Sequence, residues 1–265
     1  MKKKAGKMKE KAIPLYVWCV LVLLFLMIPI LIIVPMSFGG SDILEFPPSS
    51  FSLRWYQEMA EGEWMTGLWN SLKIGAGTVV LSVGLGTLAA IGIKNPKMKL
   101  GGFINIICIL PMMLPVVIIA VAMYLVYGSW KITGTFPAIV LAHTCIAVPM
   151  VITMMTSALS NIDMRLYDAA RSLGANHMQA NMKIILPLVK PALFTSVLFA
   201  FVTSFDESVI SLFITDRTTI TLPRMIFNSL RYEISPVISA ISTLLIGVTV
   251  LVFSMNALFG KKNKT

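Results

Sequence analysis

Residues Tyr167 to Leu193 read YDAARSLGANHMQANMKIILPLVKPAL, a polar, helix-patterned stretch between segments that are almost continuously apolar. Together with the residues just before it, its first half repeats apolar side chains at Leu159, Ile162, Leu166, Ala169 or Ala170, and Leu173. That three-and-four spacing makes a single helical stripe. Asn161 or Asp163 is placed to cap the start of the helix, and Gly174 falls where it would end. Asn176, with Gln179 three residues on, has the capping-box spacing for a second short helix. Met178, Met182 and Ile185 share one face of it. Pro187 and Pro191 then interrupt the pattern. The spacing predicts helix–glycine–helix with one apolar and one polar face. Such an element either rests on lipid headgroups or docks a soluble partner, and the residues by themselves leave both open.

Composition shows what surrounds this element. Of the 265 residues, 57% are hydrophobic and 13% charged, with a mean hydropathy of +0.83. Soluble domains hold about 45–50% apolar and roughly 25% charged residues. The chain is therefore expected to be an integral membrane protein. Cys19, Cys108 and Cys145 each lie in an apolar run, with neither metal-ligand spacing nor a disulfide framework, and read as small buried hydrophobes. The net charge of +10 raises the question of nucleic-acid binding, and its placement answers it.

Six apolar segments are predicted to span the membrane: Pro14–Met36, Asn70–Ile93, Gly102–Tyr127, Phe136–Leu159, Pro191–Ile214 and Val237–Phe259. Each is long enough for a hydrocarbon core of about 30 Å. The leader MKKKAGKMKEK is basic like a signal peptide, but the apolar run behind it exceeds the roughly 7–15 residues of a cleaved signal. A retained helix is expected. With the N-terminus cytoplasmic, 16 of the 22 Lys and Arg residues fall inside. They are Lys2, Lys3, Lys4, Lys7, Lys9 and Lys11; Lys94, Lys97 and Lys99; Arg165, Arg171, Lys183 and Lys190; and Lys261, Lys262 and Lys264. Arg54, Lys73, Lys131, Arg217, Arg224 and Arg231 fall outside. The positive-inside rule places both termini in the cytoplasm. The basic balance is then an orientation signal, with no aromatic-interleaved basic motif for nucleic acid. The quoted stretch becomes the cytoplasmic loop between the fourth and fifth spans.

Within the spans, Gly84 and Gly86, with Ala89 and Ala90, offer a small-residue surface for close helix packing. Pro29, Pro111, Pro115 and Pro149 predict kinks.

The cytoplasmic loop carries a resemblance. Asp168-Ala169-Ala170, three residues, Gly174, nine residues and Ile184-Ile185-Leu186-Pro187 resemble the EAA loop of permease subunits in binding-protein-dependent ABC importers. The family pattern is Glu-Ala-Ala, three residues, Gly, nine residues, Ile-x-Leu-Pro. Asp168 keeps the carboxylate on a side chain one methylene shorter. Asn70-Ser71-Leu72 at the second span also fits the family. The resemblance, running from about Trp55 to the end, implies an all-α integral membrane protein. Its domains would be a basic cytoplasmic N-terminus (1–13), a six-helix type-1 transmembrane domain (14–259, coupling loop 160–190) and a basic tail (260–265). It further implies that Asp168, Ala169, Ala170, Gly174, Ile184, Leu186 and Pro187 couple to a cytoplasmic ATPase dimer. Dimer closure on ATP would move these short helices as levers and alternate the bundle between inward- and outward-facing forms. Gly174 would form the tight turn between them, and Pro187 would set the exit toward the fifth span. A second permease, an extracytoplasmic substrate-binding protein and the inner or plasma membrane of a prokaryote are implied as well. The chain has no GxxxxGK[ST] phosphate loop. ATP and Mg are therefore expected on the partner ATPase, with no cofactor in this chain.

The last third, FDESVISLFITDRTTITLPRMIFNSLRYEISPVISAISTLLI (Phe205 to Ile246), is similar to the second permease type of spermidine/putrescine importers. That implies a polyamine substrate and a paralogous partner. Permeases for phosphonate, ferric iron or oxyanions share the scaffold and form the alternative. Asp206 and Glu207 are expected within the fifth helix, about 22 Å beyond Pro191. Intramembrane carboxylates usually face a water-filled path or a partner, and there they would meet a polycation. The plainer reading is a cap, or a pair with Arg217, Arg224 or Arg231. Tyr232, Glu233, Trp130 and Tyr127 are placed for the outer mouth. In the outer loop from Ser37 to Trp69, Asp42, Glu45, Glu58, Glu61 and Glu63 stand against Arg54, an acidic balance suited to a cation or a binding protein or simply to a solvated outer loop.

Enzyme classes find no purchase. No GxGD or GxSG span motif occurs, and the two histidines, His143 and His177, lie in different settings without a zinc-ligand cluster. An ATPase-independent channel or transporter would leave the EAA-like loop unexplained.

Overall fold

The computed structural model describes residues 2–95, 98–163, 165–232 and 235–260, with side chains from 15 to 251. Among these the structure is helical, with one isolated bridge between Gly39 and Phe51. In chain order the helices are α1 (Lys2–Met36), α2 (Arg54–Glu61), α3 (Glu63–Ile93), α4 (Gly101–Ile109), α5 (Val116–Ser129), α6 (Phe136–Ser160), α7 (Arg165–Ser172), α8 (His177–Ala180), α9 (Leu186–Leu188), α10 (Lys190–Phe205), α11 (Val209–Ile214), α12 (Leu222–Tyr232) and α13 (Val237–Gly260). The chain divides into two compact units, residues 1–65 with 228–265, and residues 66–227.

In the first unit α1 and α2 both pack on α13. The connection between α1 and α2 is ordered by Ser37, whose hydroxyl reaches Val34 O at 2.6 Å and Tyr56 Oη at 2.7 Å. Asp42 pairs with Arg54, whose guanidinium lies 4.1 Å from the Trp55 ring centre. Glu45 accepts from the Ser49 amide and hydroxyl. The Ser49 hydroxyl, more than its amide, holds the Glu45 carboxyl below the usual carboxylate range. Two acids of the 37–69 connection thus have local structural partners.

The second unit is built around α6, which packs against α4, α5, α10 and α11. One apolar core joins Ile74, Ala120, Tyr127, Ile139, Ile210 and Ile214. A second joins Ala90, Ala147, Val151, Met155, Leu159, Ile185, Val189 and Ala200. Of the predicted small surface, Gly86 and Ala90 are buried toward α6. A Cβ at Gly86 would stand 2.6 Å from Val151 Cγ1, so only glycine allows this approach. Gly84 faces open space. Cys19 and Cys145 are exposed on the chain and Cys108 is half-buried, so none is the fully buried residue expected; their apolar surroundings lie outward.

Three described helices meet length and hydropathy for a span unaided: Leu15–Met36, Glu63–Ile93 and Phe136–Ser160. Two helix pairs are sharply bent, the first within the predicted third span at the kink expected of Pro115, the second just before the predicted fifth span. Gly101–Met113 and Val116–Ser129 meet at 98°. Leu114, between them, is extended at φ −88°, ψ 141°, because Pro115 disfavours helical geometry in the residue before it. His177–Leu188 and Lys190–Phe205 meet at 77° through Val189. By contrast α1 runs through Pro29, and α6 runs through Pro149. Thr153 Oγ1 donates to Pro149 O at 2.9 Å. The second span starts seven residues earlier than predicted, at Glu63 rather than Asn70. The fourth matches α6 to within a residue.

Candidate functional site

The stretch that opened the sequence reading folds as two short helices about a tight turn. Asp163, rather than Asn161, caps the first: its Oδ1 accepts from Arg165 N at 3.0 Å. Asn161 instead ends α6, donating to Ser157 O. At the far end Gly174 is left-handed, φ +91°. Gly174 N donates to Arg171 O, and Ala175 N donates to Ala170 O, both at 3.1 Å. These paired bonds are the Schellman arrangement, which satisfies the last carbonyls of a helix. Arg171 Nη1 adds a bond to Ala175 O. The capping box at α8 is complete, Gln179 N to Asn176 Oδ1 at 2.7 Å and Asn176 N to Gln179 Oε1 at 2.9 Å. Tyr167 Oη, 2.6 Å from His177 Nδ1, ties the two helices across the turn.

The predicted stripe from Leu159 to Leu173 is divided. Leu159 belongs to α6 and its core, while Leu166 and Leu173 are exposed, because α6 stops at Ser160 and the chain turns before α7. Asp168, Ala169 and Gly174 are exposed and Ala170 is half-buried. On the second helix Ile185 enters the core, while Ile184 and Leu186 are half-buried and Pro187 is exposed. Met178 and Met182 are exposed, departing from the face they were expected to share with buried Ile185. Leu186 N bonds back five residues to Asn181 O. That wide turn directly precedes Pro187, whose missing N–H cannot continue the four-residue ladder. With Gly84 and Leu88 of α3, Met178 and Met182 line an apolar groove of about 550 Å³.

The acid pair is placed differently from expectation. α10 ends at Phe205 and α11 begins at Val209, so Asp206 and Glu207 sit at a break in the fifth span, not within a continuous helix. The physical reason is local. Glu207 Oε1 accepts from Ile210 N at 2.9 Å, satisfying a first-turn donor of α11 that has no intrahelical partner. Asp206 is exposed. Arg224, weighed as their partner, instead donates to Thr215 O and to its hydroxyl. Tyr232, in the first unit, is exposed with the Arg231 guanidinium 5.7 Å from its ring centre. Glu233 lies outside the described residues. Tyr127 is a buried core residue rather than part of an outer mouth, and exposed Trp130 stacks on it at 6.0 Å.

Two polar constellations escaped the sequence reading. Asn70 Nδ2 donates to Thr218 O and Ile220 O, each at 3.0 Å, and Leu222 N donates to Ser71 Oγ at 2.9 Å. The Asn-Ser pair thereby holds the loop 215–221 to α3. In that loop the hydroxyl and amide of Thr218 donate to Asp216 Oδ1, each at 2.8 Å. The Thr218 hydroxyl first, then the loop amides, hold the Asp216 carboxyl below the usual range. The second constellation links Thr78, His143, Ser204 and Ser211 in the bundle interior. The signal for it was a histidine and hydroxyls inside apolar spans, where every polar group needs a partner.

Apolar helices long enough to cross a membrane, beside an ordered helix–glycine–helix element, are the architecture of a membrane permease. The chain belongs to the family described as "binding-protein-dependent transport system inner membrane component", matched over residues 82–264. It is thus a membrane-embedded permease subunit rather than an enzyme. It is 30% identical over 248 residues to the putrescine transport system permease protein PotI of Escherichia coli K12, covering 89% of this chain and 88% of that one. It is 28% identical over 240 residues to the spermidine/putrescine permease PotC of Haemophilus influenzae, covering 90% and 93%. In fold it is similar to a bacterial ABC transporter that imports alginate, with TM-score 0.72, 16% identity and 97% of each chain covered. It is also similar, at TM-score 0.68 and 16% identity over 99% of this chain and 97% of that one, to an alginate transporter in complex with its periplasmic protein.

Proposed function

We propose that this chain is one of two permease subunits that form the pathway of an ATP-driven importer of spermidine and putrescine. The observation that carries the reading is similarity along about nine-tenths of its length to permeases named for those two polyamines. The chemistry agrees: Asp206 and Glu207 stand at a helix break, where backbone and carboxylate oxygens together suit an extended polycation. By their chemistry alone, an aromatic ring and a carboxylate, Tyr232 and Glu233 are further candidates for cation contact.

In this reading the chain crosses the membrane six times. The three unaided helices and the bent pair of Gly101–Met113 with Val116–Ser129 are joined by α10 with α11 as the fifth span, and by α13, whose 24 residues reach about 36 Å. Both termini and the 160–190 loop are cytoplasmic, as the Lys and Arg distribution favours. Asp168, Ala169, Ala170, Gly174, Ile184, Leu186 and Pro187 form the coupling element. An ATPase dimer docks there and binds the ATP and Mg. An extracytoplasmic binding protein delivers substrate.

The test is labelled spermidine uptake in cells with and without this chain, with putrescine as competitor and other polyamine importers deleted. Loss of energised uptake, restored on re-expression, is expected. Unchanged uptake would remove the polyamine assignment and turn the search to phosphonate, iron or another solute.

A further inference from the structure

His143 is fully enclosed in α6 and touches two elements at once. Its Nδ1 is 2.9 Å from Ser204 Oγ on α10, and its Nε2 is 3.4 Å from Ser211 Oγ on α11. Ser204 has one hydroxyl hydrogen, and its shorter contact, to Nδ1, takes it in preference to Thr78 Oγ1 of α3 at 3.3 Å, so Nδ1 is the acceptor nitrogen. Ser211 has one hydroxyl hydrogen, and it is directed to the Glu207 carbonyl at 2.9 Å. The contact with His143 therefore takes its proton from the ring, so Nε2 carries the N–H and Ser211 accepts it. The ring bridges the helix before the α10–α11 break and the helix after it. Thr78, His143, Ser204 and Ser211 are all buried, so a lost arm leaves a polar group with no water to replace its partner.

We infer that His143 is a positioning residue for the acid pair: by donating through Nε2 to Ser211 it fixes α11 against α10, and so sets how Asp206 and Glu207 present themselves to a polyamine. Glu207 is held to α11 from both of its ends, its carbonyl by Ser211 and its carboxylate by Ile210 N. A shift of α11 carries Glu207 with it. The inference rests on the polyamine reading above. A space-filling role would require only the volume of the ring, whereas the positioning role requires the Nε2 donor.

Glutamine and asparagine separate these roles. The amide nitrogen of glutamine reaches the place of Nε2, while the amide of asparagine stops near the place of Nδ1. The experiment measures the concentration dependence of spermidine uptake in proteoliposomes holding the complex purified through this chain, with ATP and Mg on the ATPase side and the extracytoplasmic binding protein supplied at one fixed concentration on the other. His143→Gln is expected to keep KM within about twofold. His143→Asn is expected to raise it roughly five- to tenfold, the size of one buried hydrogen bond, with the partner subunits still co-purifying. Ser211→Ala removes the same arm from the other side. It should raise KM to a similar extent, with no further rise when combined with His143→Asn. Equal behaviour of the Gln and Asn variants overturns the inference. So does a normal KM in Ser211→Ala, which decides the matter even where a histidine variant fails to assemble. A wild-type complex without saturable spermidine uptake overturns the polyamine reading and this inference together. Wild-type uptake with indistinguishable variants overturns the inference alone.

Discussion

At Gly174 a single backbone angle shapes the helix–glycine–helix element. Its φ is +91°, yet a Cβ there would meet nothing within 4 Å. Space is free, and only the left-handed conformation resists a side chain, by about 1–2 kcal/mol for an ordinary residue and more for a β-branched one. Gly174→Val is therefore expected to abolish uptake while the chain reaches the membrane in wild-type amount. Gly174→Asn, which tolerates this conformation, should retain most of the transport. Uptake assays with immunodetection of the membrane fraction decide it, and wild-type uptake by the valine variant would remove the coupling role. The glycine was legible from its spacing alone. The divided duty of Asp206 and Glu207 was not, because hydropathy treats two adjacent carboxylates alike. Only the helix break shows one capping α11 and the other exposed.

At the scale of the element, the second helix of the 160–190 segment is short and depends on its ends. An isolated helix of four residues, as α8 is, has no stability from propagation, so the reciprocal bonds of Asn176 and Gln179 and the burial of Ile185 hold it. Asn176→Ala should cost about 0.5–2 kcal/mol of local stability. It is expected to speed amide exchange over residues 177–185 and to lower uptake without changing the amount in the membrane. Unchanged exchange there would show that the partner, not the cap, orders this segment. The capping box was readable because its chemistry is local. The kink at Pro115 was readable too, but the wide turn before Pro187 and the bend at Val189 were not, since a proline removes one donor without dictating how the chain reroutes. Pro29 and Pro149, inside continuous helices, make the same point.

For the whole molecule, the chain carries no phosphate loop of its own and presents Leu166, Leu173 and Met178 outward from the 160–190 element. Purification through this chain in mild detergent should bring down a nucleotide-binding subunit. Repeating it with Gly174→Val should deplete that subunit selectively. Recovery of the chain without any ATPase would favour an ATP-independent channel or transporter. Membership of the permease family and the apolar helices place the protein in a membrane.

Periodicity, composition and local capping chemistry, all properties of neighbours in sequence, were enough to read the membrane setting, the helical class, and the helix–glycine–helix element with its left-handed turn. Contacts between residues far apart in sequence were decided by tertiary structure alone. Asn70 holds a loop 148 and 150 residues away, His143 joins Ser204 and Ser211, and Gly86 receives Val151. A polar residue in an apolar span announces that it needs a partner, because lipid offers none. Which partner it finds depends on how the helices are bent and stacked.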